Sequence, residues 1–248
     1  MKAAIYGATR NVYEDVIPSI KSLLLHSDVD KIYILAEDDE LPFYLPKECE
    51  VINVSELHKH YFPKGSLNYN TRWSYIILMR VLFPKMFPTL DRIFSLDNDV
   101  IINDDISELW DMDLTSYYFA AVKEPYRSGL INSLYTCIGV TMYNLNMMRG
   151  YRIADKCVYE LNRCVWPYPE QDVLNAVCRG NIKELPPTYG RSPWTTQCEN
   201  PKIEHFAASE GKWREYDIVK YYRDLPWEEI EEKRKEKYYA NTDSSTDV

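Results

Sequence analysis

Glycine is scarce in this chain of 248 residues: there are eight, and Gly7 is the only one among the first 64 positions. A flexible Gly-rich phosphate cradle is therefore not available to the N-terminal part. Long apolar runs are also missing. No stretch approaches the roughly 18 apolar residues of a membrane-spanning helix. The opening, MKAAIYGATRNVYED, has too short an apolar run for a secretory leader. Basic residues are outnumbered, 29 Lys and Arg against 38 Asp and Glu, which gives a net charge of −9 and a pI near 5.1. A general nucleic-acid surface needs a basic face and is excluded. An anionic small ligand is compatible if a metal supplies the positive charge. The acidic C-terminal segment lacks the basic cluster of a protein that docks on anionic membranes, so membrane contact would be peripheral at most. None of the six cysteines forms a C-x-x-C pair. They are read as reduced thiols of a cytoplasmic protein.

Apolar residues make up 46% of the chain, and there are 21 tyrosines. With a mean hydropathy of −0.42, this predicts a soluble globular core. KAAIYGA (2–8), DKIYILAED (30–38) and CEVINVSEL (49–57) read as strands. YEDVIPSIKSLLLHS (13–27) between them has the helical spacing of Val16, Ile20, Leu23 and Leu24. SYIILMRVLFPKMFP (74–88) reads as a helix broken near Pro84, and DRIFSLDNDVII (91–102) as one strand with acids at its end. This alternation argues for a parallel α/β sheet, in which ligands sit beyond the carboxyl ends of the strands. YFAAVK (118–123) and GVTMYNLNMM (139–148) read as strands or strand-to-helix units. ADKCVYELNRC (154–164) and QDVLNAVC (171–178) read as helices. A single domain is expected over 1–226, with a nucleotide-binding half (1–115) and an acceptor half (116–226). A solvated helix is expected over 227–239, followed by a disordered tail over 240–248.

The window Phe94–Leu114 carries seven acids. Asp97 and Asp99 lie between two apolar runs, where unpaired carboxylates are costly to bury. Spaced two apart at a strand end, both can reach one hard divalent cation, Mg²⁺ or Mn²⁺, shared with substrate phosphates. Asp105 and Glu108 have capping-box spacing for a short helix, ISELW. Asp111 and Asp113 read as turn or solvated acids, and Asp104 as a loop acid.

The segment SLDNDVIINDDISELWDMDL resembles the signature of the family 8 glycosyltransferases: Leu-Asp-x-Asp, a short apolar run, then Asp-Ile-x-x-Leu-Trp. LMRVLFP (78–84), IGVTMYNLNMMR (138–149), EQDVLN (170–175) and KIEHFAASEGKW (202–213) are similar to further family segments, in family order. The resemblance covers residues 2–213. It implies a GT-A, Rossmann-like α/β fold with a mixed, mainly parallel sheet flanked by helices. It also implies a retaining, metal-dependent transfer of a hexose from a UDP-sugar, with Mn²⁺ (or Mg²⁺) as cofactor. The acceptor would be a glycan, a lipid-linked sugar or a protein side chain. Whether the protein is a homodimer is left open.

Residue by residue, the resemblance makes Asp97, Asp99 and His205 metal ligands, with Asp97 and Asn98 also near the donor. Arg80 would contact the sugar nucleotide, and Gly7, Ala8 and Thr9 would lie where the nucleoside docks. Lys212 would pair with the diphosphate, although the family's lysine slot falls on Gly211. Glu170, in a position usually held by Asp, and Gln171 would flank the reaction centre. Asp172 would support the site or bind a donor hydroxyl. Front-face retention is favoured over a covalent glycosyl-enzyme. Cys137 fills the slot of an Asn that touches sugar; as a nucleophile it lacks a histidine near in sequence. Tyr135, Tyr143, Tyr168 and Tyr189 are candidates for an acceptor groove. Two other readings compete: a sugar-1-phosphate nucleotidyltransferase, and a non-catalytic nucleotide-sugar-binding protein.

Overall fold

The computed structural model describes residues 1–63, 65–69, 71, 74–127, 131–209 and 211–239. The described strands and helices run in chain order. β1 (Ala3–Gly7), α1 (Val16–His26), β2 (Lys31–Ala36) and β3 (Cys49–Asn53) come first. α2 (Phe83–Met86), β4 (Arg92–Leu96), β5 (Val100–Ile102), α3 (Ser107–Trp110) and β6 (Phe119–Lys123) follow. Then come β7 (Thr136–Asn144), α4 (Leu145–Gly150), α5 (Ile153–Arg163), α6 (Pro169–Val177) and β8 (Ile182–Leu185). β9 (Ile203–His205), α7 (Asp217–Asp224) and α8 (Trp227–Arg234) close the chain.

Seven strands form one sheet in the order β3-β2-β1-β4-β7-β6-β8, and β5 pairs with β9 in a second, two-stranded sheet. β1 is parallel to both β2 and β4, β2 to β3 and β6 to β8. β7 runs antiparallel to its neighbours β4 and β6. The expected mixed, mainly parallel sheet flanked by helices is what forms. β1 is almost wholly buried, as is usual for a strand covered on both faces. One side packs on α1 through Ile20, Leu23 and Leu24. The other packs on the segment 75–86 and on α5 and α6 through Met79, Leu82, Leu161 and Leu174.

Two readings of the sequence change. Residues 91–102 are not one strand. The chain leaves the large sheet after Leu96 and enters the small one at Val100. Both halves are apolar because both are buried, so composition hid the break. Residues 74–88 are helical with the expected break near Pro84, but the part before the break is not an α-helix. Tyr75–Leu82 is a 3₁₀ helix, opened by the Ser74 side chain accepting the Ile76 N–H at 3.3 Å. Pro84 sits in the first turn of α2 that follows, where a proline lacks no needed donor. The 3₁₀ repeat of three puts Ile76, Met79 and Leu82 in the core, while Ile77 and Arg80 face a cavity.

The C-terminal helices are not solvated all round. The Lys21 ammonium of α1 donates to the Arg223 and Leu225 carbonyls (2.8 and 2.5 Å) at the end of α7 and sits over the Trp227 ring. On α8, Ile230 is fully buried. Arg234 is buried too, paired with Glu48 at 2.6 Å and donating to the Val29 carbonyl at 3.2 Å. The charged face of α8 is exposed, but its other face belongs to the core. Residues 240–248, expected to be disordered, lie outside the described residues.

Removing one partner of a buried ion pair strands the other. Arg234→Ala is therefore expected to lower the unfolding free energy by about 3 kcal/mol in urea denaturation. Arg163→Ala, whose partner Glu160 lies on the exposed face of α5, should change it by less than about 1 kcal/mol.

Candidate active site

β1 has parallel neighbours on both sides, so connections leave it in opposite directions. Such a switch point opens a crevice at the carboxyl ends of the strands. A cavity of about 350 Å³ lies there. Its walls include Gly7 at the end of β1, Leu35 of β2 and Ser95 of β4. Asp97, Asn98 and Asp99 cross its floor, and Arg80 and Trp213 face it.

The break between β4 and β5 shapes this floor. The Asp97 N–H donates to the Gly139 carbonyl at 2.8 Å, and the Asp99 carbonyl accepts the Phe206 N–H at 2.9 Å. Asp97 is thus held by the large sheet and Asp99 by the small one. β5 pairs with β9 in a register that sets Val100 opposite His205. The imidazole Nε2 consequently lies 3.3 Å from a carboxylate oxygen of each aspartate. One ligand atom from each of Asp97, Asp99 and His205 falls within 4.8 Å of the others. Two carboxylate oxygens and an imidazole nitrogen suit Mn²⁺ or Mg²⁺. Gly139 makes this convergence sterically feasible. A Cβ there would stand 2.2 Å from His205 Cε1 and 2.6 Å from Asp97 Oδ2.

Burial alone would raise the Asp97 carboxyl, but Arg80 and His205 overcome it and hold Asp97 well below the usual range. Burial would lower His205, yet Asp99 and the hydrogen bonds to both aspartates keep it well above its ordinary value. Arg80 hydrogen-bonds Asp97 through one guanidinium nitrogen and lies 3.4 Å from Glu170 through the other. Burial pushes Glu170 up to about 7, against the lowering pull of Arg80.

Glu170, Gln171 and Asp172 share the first turns of α6, with Pro169 at its start, but they have separate environments. Gln171 donates to Glu124 (2.9 Å) and the Tyr135 hydroxyl (3.0 Å), and accepts from the Ile138 N–H (3.2 Å). Asp172 is fully buried. It accepts from Arg127 (2.9 Å), the Tyr135 hydroxyl (2.5 Å) and the Tyr168 N–H (2.9 Å). It is therefore a brace for the helix start rather than a group open to a ligand.

Sequence reasoning missed Glu124 and Asn175. Glu124 is buried beside Gln171, and burial raises its carboxyl. Asn175 clamps both backbone groups of Thr136, accepting its N–H at 2.8 Å and donating to its carbonyl at 2.9 Å, and so fixes the strand that carries Cys137 and Gly139. The carboxyl end of YFAAVK followed by Glu124 was the available signal for the first, since ligands gather at strand ends. The second closes the segment EQDVLN, but nothing local shows that its partner is Thr136, 39 positions away.

Of the remaining expected residues, Gly7, Thr9 and Asn98 line the cavity, and the Asn98 Oδ1 is buried without a hydrogen-bond partner. Ala8 is buried and spends its N–H on the Leu35 carbonyl, at 2.9 Å. Lys212 is exposed and is not among the cavity walls. Tyr135, Tyr143 and Tyr189 are buried in the core and cannot line an open groove; Tyr168 is half-buried. The capping box is half made. Asp105 accepts the Ser107 N–H at 2.6 Å, whereas Glu108 turns away to Tyr189 and Lys202. Asp113 forms the expected turn with Thr115. All six cysteines are free. Among the described residues, no helix is long and apolar enough to cross a membrane.

The sheet order and the cation-ready floor at its switch point define a GT-A fold, and solved structures agree. The galactosyltransferase LgtC, solved with donor and acceptor sugar analogues, superposes with a TM-score of 0.71 at 17% identity, covering 94% of this chain and 95% of LgtC. The sequence profile of glycosyl transferase family 8 matches residues 5–217; the chain belongs to that family. The glycosyltransferase GlyF of Streptococcus pneumoniae is 27% identical over 274 residues, covering 96% of this chain and 66% of GlyF. The lipopolysaccharide 1,2-glucosyltransferase of Escherichia coli K12 is 26% identical over 276 residues, covering 90% of this chain and 78% of that protein. The chain spans only 46% of a Haemophilus influenzae relative that is 28% identical over 163 residues.

Glu170 makes stability depend on pH in a calculable direction. Its carboxyl titrates near 4.5 when solvated and near 7 in the folded protein. The folded state thus holds the proton longer, and stability is lost as pH rises from about 4.5 to 7. Gln does not titrate. Between pH 5 and 8 the stability difference should move in favour of Glu170→Gln by about 2 kcal/mol, read by urea denaturation at both pH values.

Proposed function

We propose that this family member is a retaining, metal-dependent hexosyltransferase that takes its sugar from a UDP-hexose and passes it to a carbohydrate or glycoconjugate hydroxyl. The carrying observation is that Asp97 and Asp99, on the floor of the switch-point cavity, converge with the buried His205 behind them. Mn²⁺ or Mg²⁺ held by these three would offset the charge that a departing nucleoside diphosphate develops. Gly7, Thr9 and Asn11 wall the side of the cavity where the nucleoside would lie.

Arg80 neutralises Asp97 and faces Glu170, so the sugar would meet a balanced set of charges rather than a bare carboxylate pair. Glu170 is a poor nucleophile here. It is held against Arg80, and a carboxyl near 7 is largely protonated just below neutral pH. Gln171 has its amide fixed by Glu124, Tyr135 and Ile138, which favours positioning over covalent attack. These features support front-face retention, in which donor and acceptor meet on one face of the sugar.

The cation for the phosphates is assigned to Arg214 rather than Lys212. Gly211, in the family's lysine slot, has φ of +86°, and a Cβ there would lie 2.8 Å from Arg214 Nη1. The space is taken by the arginine. Asp15, a cavity wall, holds the guanidinium through bonds of 2.6 and 2.5 Å. A forked guanidinium so fixed suits phosphate oxygens.

The test is calorimetric titration with UDP and UMP, with and without Mn²⁺, beside a hydrolysis assay over a UDP-sugar panel. Asp99→Asn should remove the Mn²⁺-dependent part of UDP affinity. Arg214→Ala should weaken UDP at least tenfold and UMP much less, with Lys212→Ala within twofold of the parent. Absence of hydrolysis and transfer across the panel, with Asp99→Asn binding UDP like the parent, would overturn the reading.

A further inference from the structure

A second cavity, of about 720 Å³, opens on the far side of the His205–Phe206 segment. Both residues belong to its wall, so it begins where the cation cluster ends. Its other walls include Trp194, Gln197 and Tyr216, together with Arg191 and Glu204. Two of these aromatic rings are open to solvent: Trp194 is 45% exposed and Tyr216 52%. Single exposed rings are ordinary on a protein surface; these two differ in facing one concave cavity together.

The rings are also ordered. Tyr216 stacks on Phe206 with centroids 5.1 Å apart and planes at 27°, and Phe206 stacks on Trp213 at 6.3 Å and 21°. Trp213 is a wall of the donor cavity. A row of stacked rings therefore runs from one cavity to the other, with the imidazole that faces both aspartates next to it in sequence. The loop between them is held under strain. Ala208, a wall residue, has φ of +59°, a conformation that costs an alanine roughly 1 kcal/mol. Strained backbone of this kind tends to persist at ligand clamps.

We propose that this cavity is the acceptor subsite, and that it takes a neutral oligosaccharide whose sugar rings stack on Trp194 and Tyr216. The proposal rests on the transferase reading, since it assigns the second substrate that such a reaction requires. Chemistry selects the ligand class. A pyranose presents an apolar face of C–H groups that lies flat on an aromatic ring, and hydroxyls around its edge that need donors and acceptors. Ser192, Gln197 and Ser209 supply uncharged polar groups. Arg191 and Glu204 pair with each other, and Asp217 adds a negative charge to the wall. His205 on the same wall is engaged by Asp97 and Asp99, so among the described wall residues no cation is left over for a phosphate or carboxylate, which sets a neutral glycan above an anionic or diphosphate-linked one. The volume exceeds what one hexose fills, so two or more residues are expected to engage.

The experiment uses the full chain and saturation-transfer NMR with lactose, N-acetyllactosamine, maltose and maltotriose, with sialyllactose as the anionic comparison. UDP titration with Mn²⁺ is run in parallel. At least one neutral saccharide should show saturation transfer that Trp194→Ala and Tyr216→Ala each weaken tenfold or more, and that Trp194→Phe largely restores. UDP affinity should stay within twofold in all three variants, which also shows that they fold. Saccharide binding unchanged in both alanine variants would overturn the proposal, as would preferential binding of sialyllactose. So would binding of none of the neutral probes by a chain that does bind UDP. If UDP itself does not bind, it is the transferase reading that falls.

Discussion

The Arg80 guanidinium is the charge on which the rest of the site depends. Two carboxyl groups, Asp97 and Glu170, come to it from parts of the chain 73 positions apart, one at a strand end and one at a helix start. Asp97 opens on the cavity whereas Glu170 is closed in, and an unpaired buried carboxylate costs several kcal/mol, so Glu170 above all needs the cation beside it. The shared arginine treats them unequally. Asp97, also touched by His205, stays ionised, whereas Glu170 keeps its proton until about pH 7. At Asp97 the arginine and His205 outweigh burial, and at Glu170 burial outweighs the arginine, so two carboxyl groups beside one cation end in different protonation states. Arg80 can do this because its helix is 3₁₀. A repeat of three keeps Met79 and Leu82 inward while the arginine faces the cavity.

The second constraint is the split of Arg92–Ile102 into two strands. Had the chain continued in one sheet, Asp97 and Asp99 would have been fixed by a single ladder with its own spacing. Instead each is hydrogen-bonded to a different sheet, and the small sheet brings β9 with it. The position of His205 is thus a consequence of strand pairing, set by Val100 opposite it. The absent side chain of Gly139 then leaves room for all three groups.

Much of this was legible in the sequence, and what was not shares one physical character. The apolar strands and the helix at 16–26 are local patterns. The Asp-x-Asp segment is local too, and its likeness to a family signature reached the distant His205. The helix before Pro84 was legible but its 3₁₀ type was not, because an apolar run such as YIILMRVL satisfies a period of three as well as 3.6. The role of Asp172 as a brace, and the burial of Tyr135, depend on Arg127 and on each other across 37 to 45 positions, and no window contains both partners. The packing of Arg214 over Gly211 was hidden for another reason: it depends on the positive φ of that glycine and on Asp15, 199 positions away, neither of which the segment itself displays.

Cys137 illustrates how far neighbours in sequence can differ from neighbours in the fold. As a nucleophile it was set aside because no histidine stands near it in sequence. The fold supplies one: its Sγ lies 3.7 Å from His205 Nδ1, with both groups buried. Proximity alone would now argue for a thiolate–imidazolium pair. The other ring nitrogen decides against it. Nε2 faces Asp97 and Asp99 at 3.3 Å each, so the imidazole is already tied to two negative charges, and a cation there would engage it further. A histidine held in that way does not activate a thiol; it is itself held by one. Imidazole ligands are commonly oriented through the ring nitrogen that does not face the metal, and here the small, weakly polar thiol in the Asn slot stands at that nitrogen.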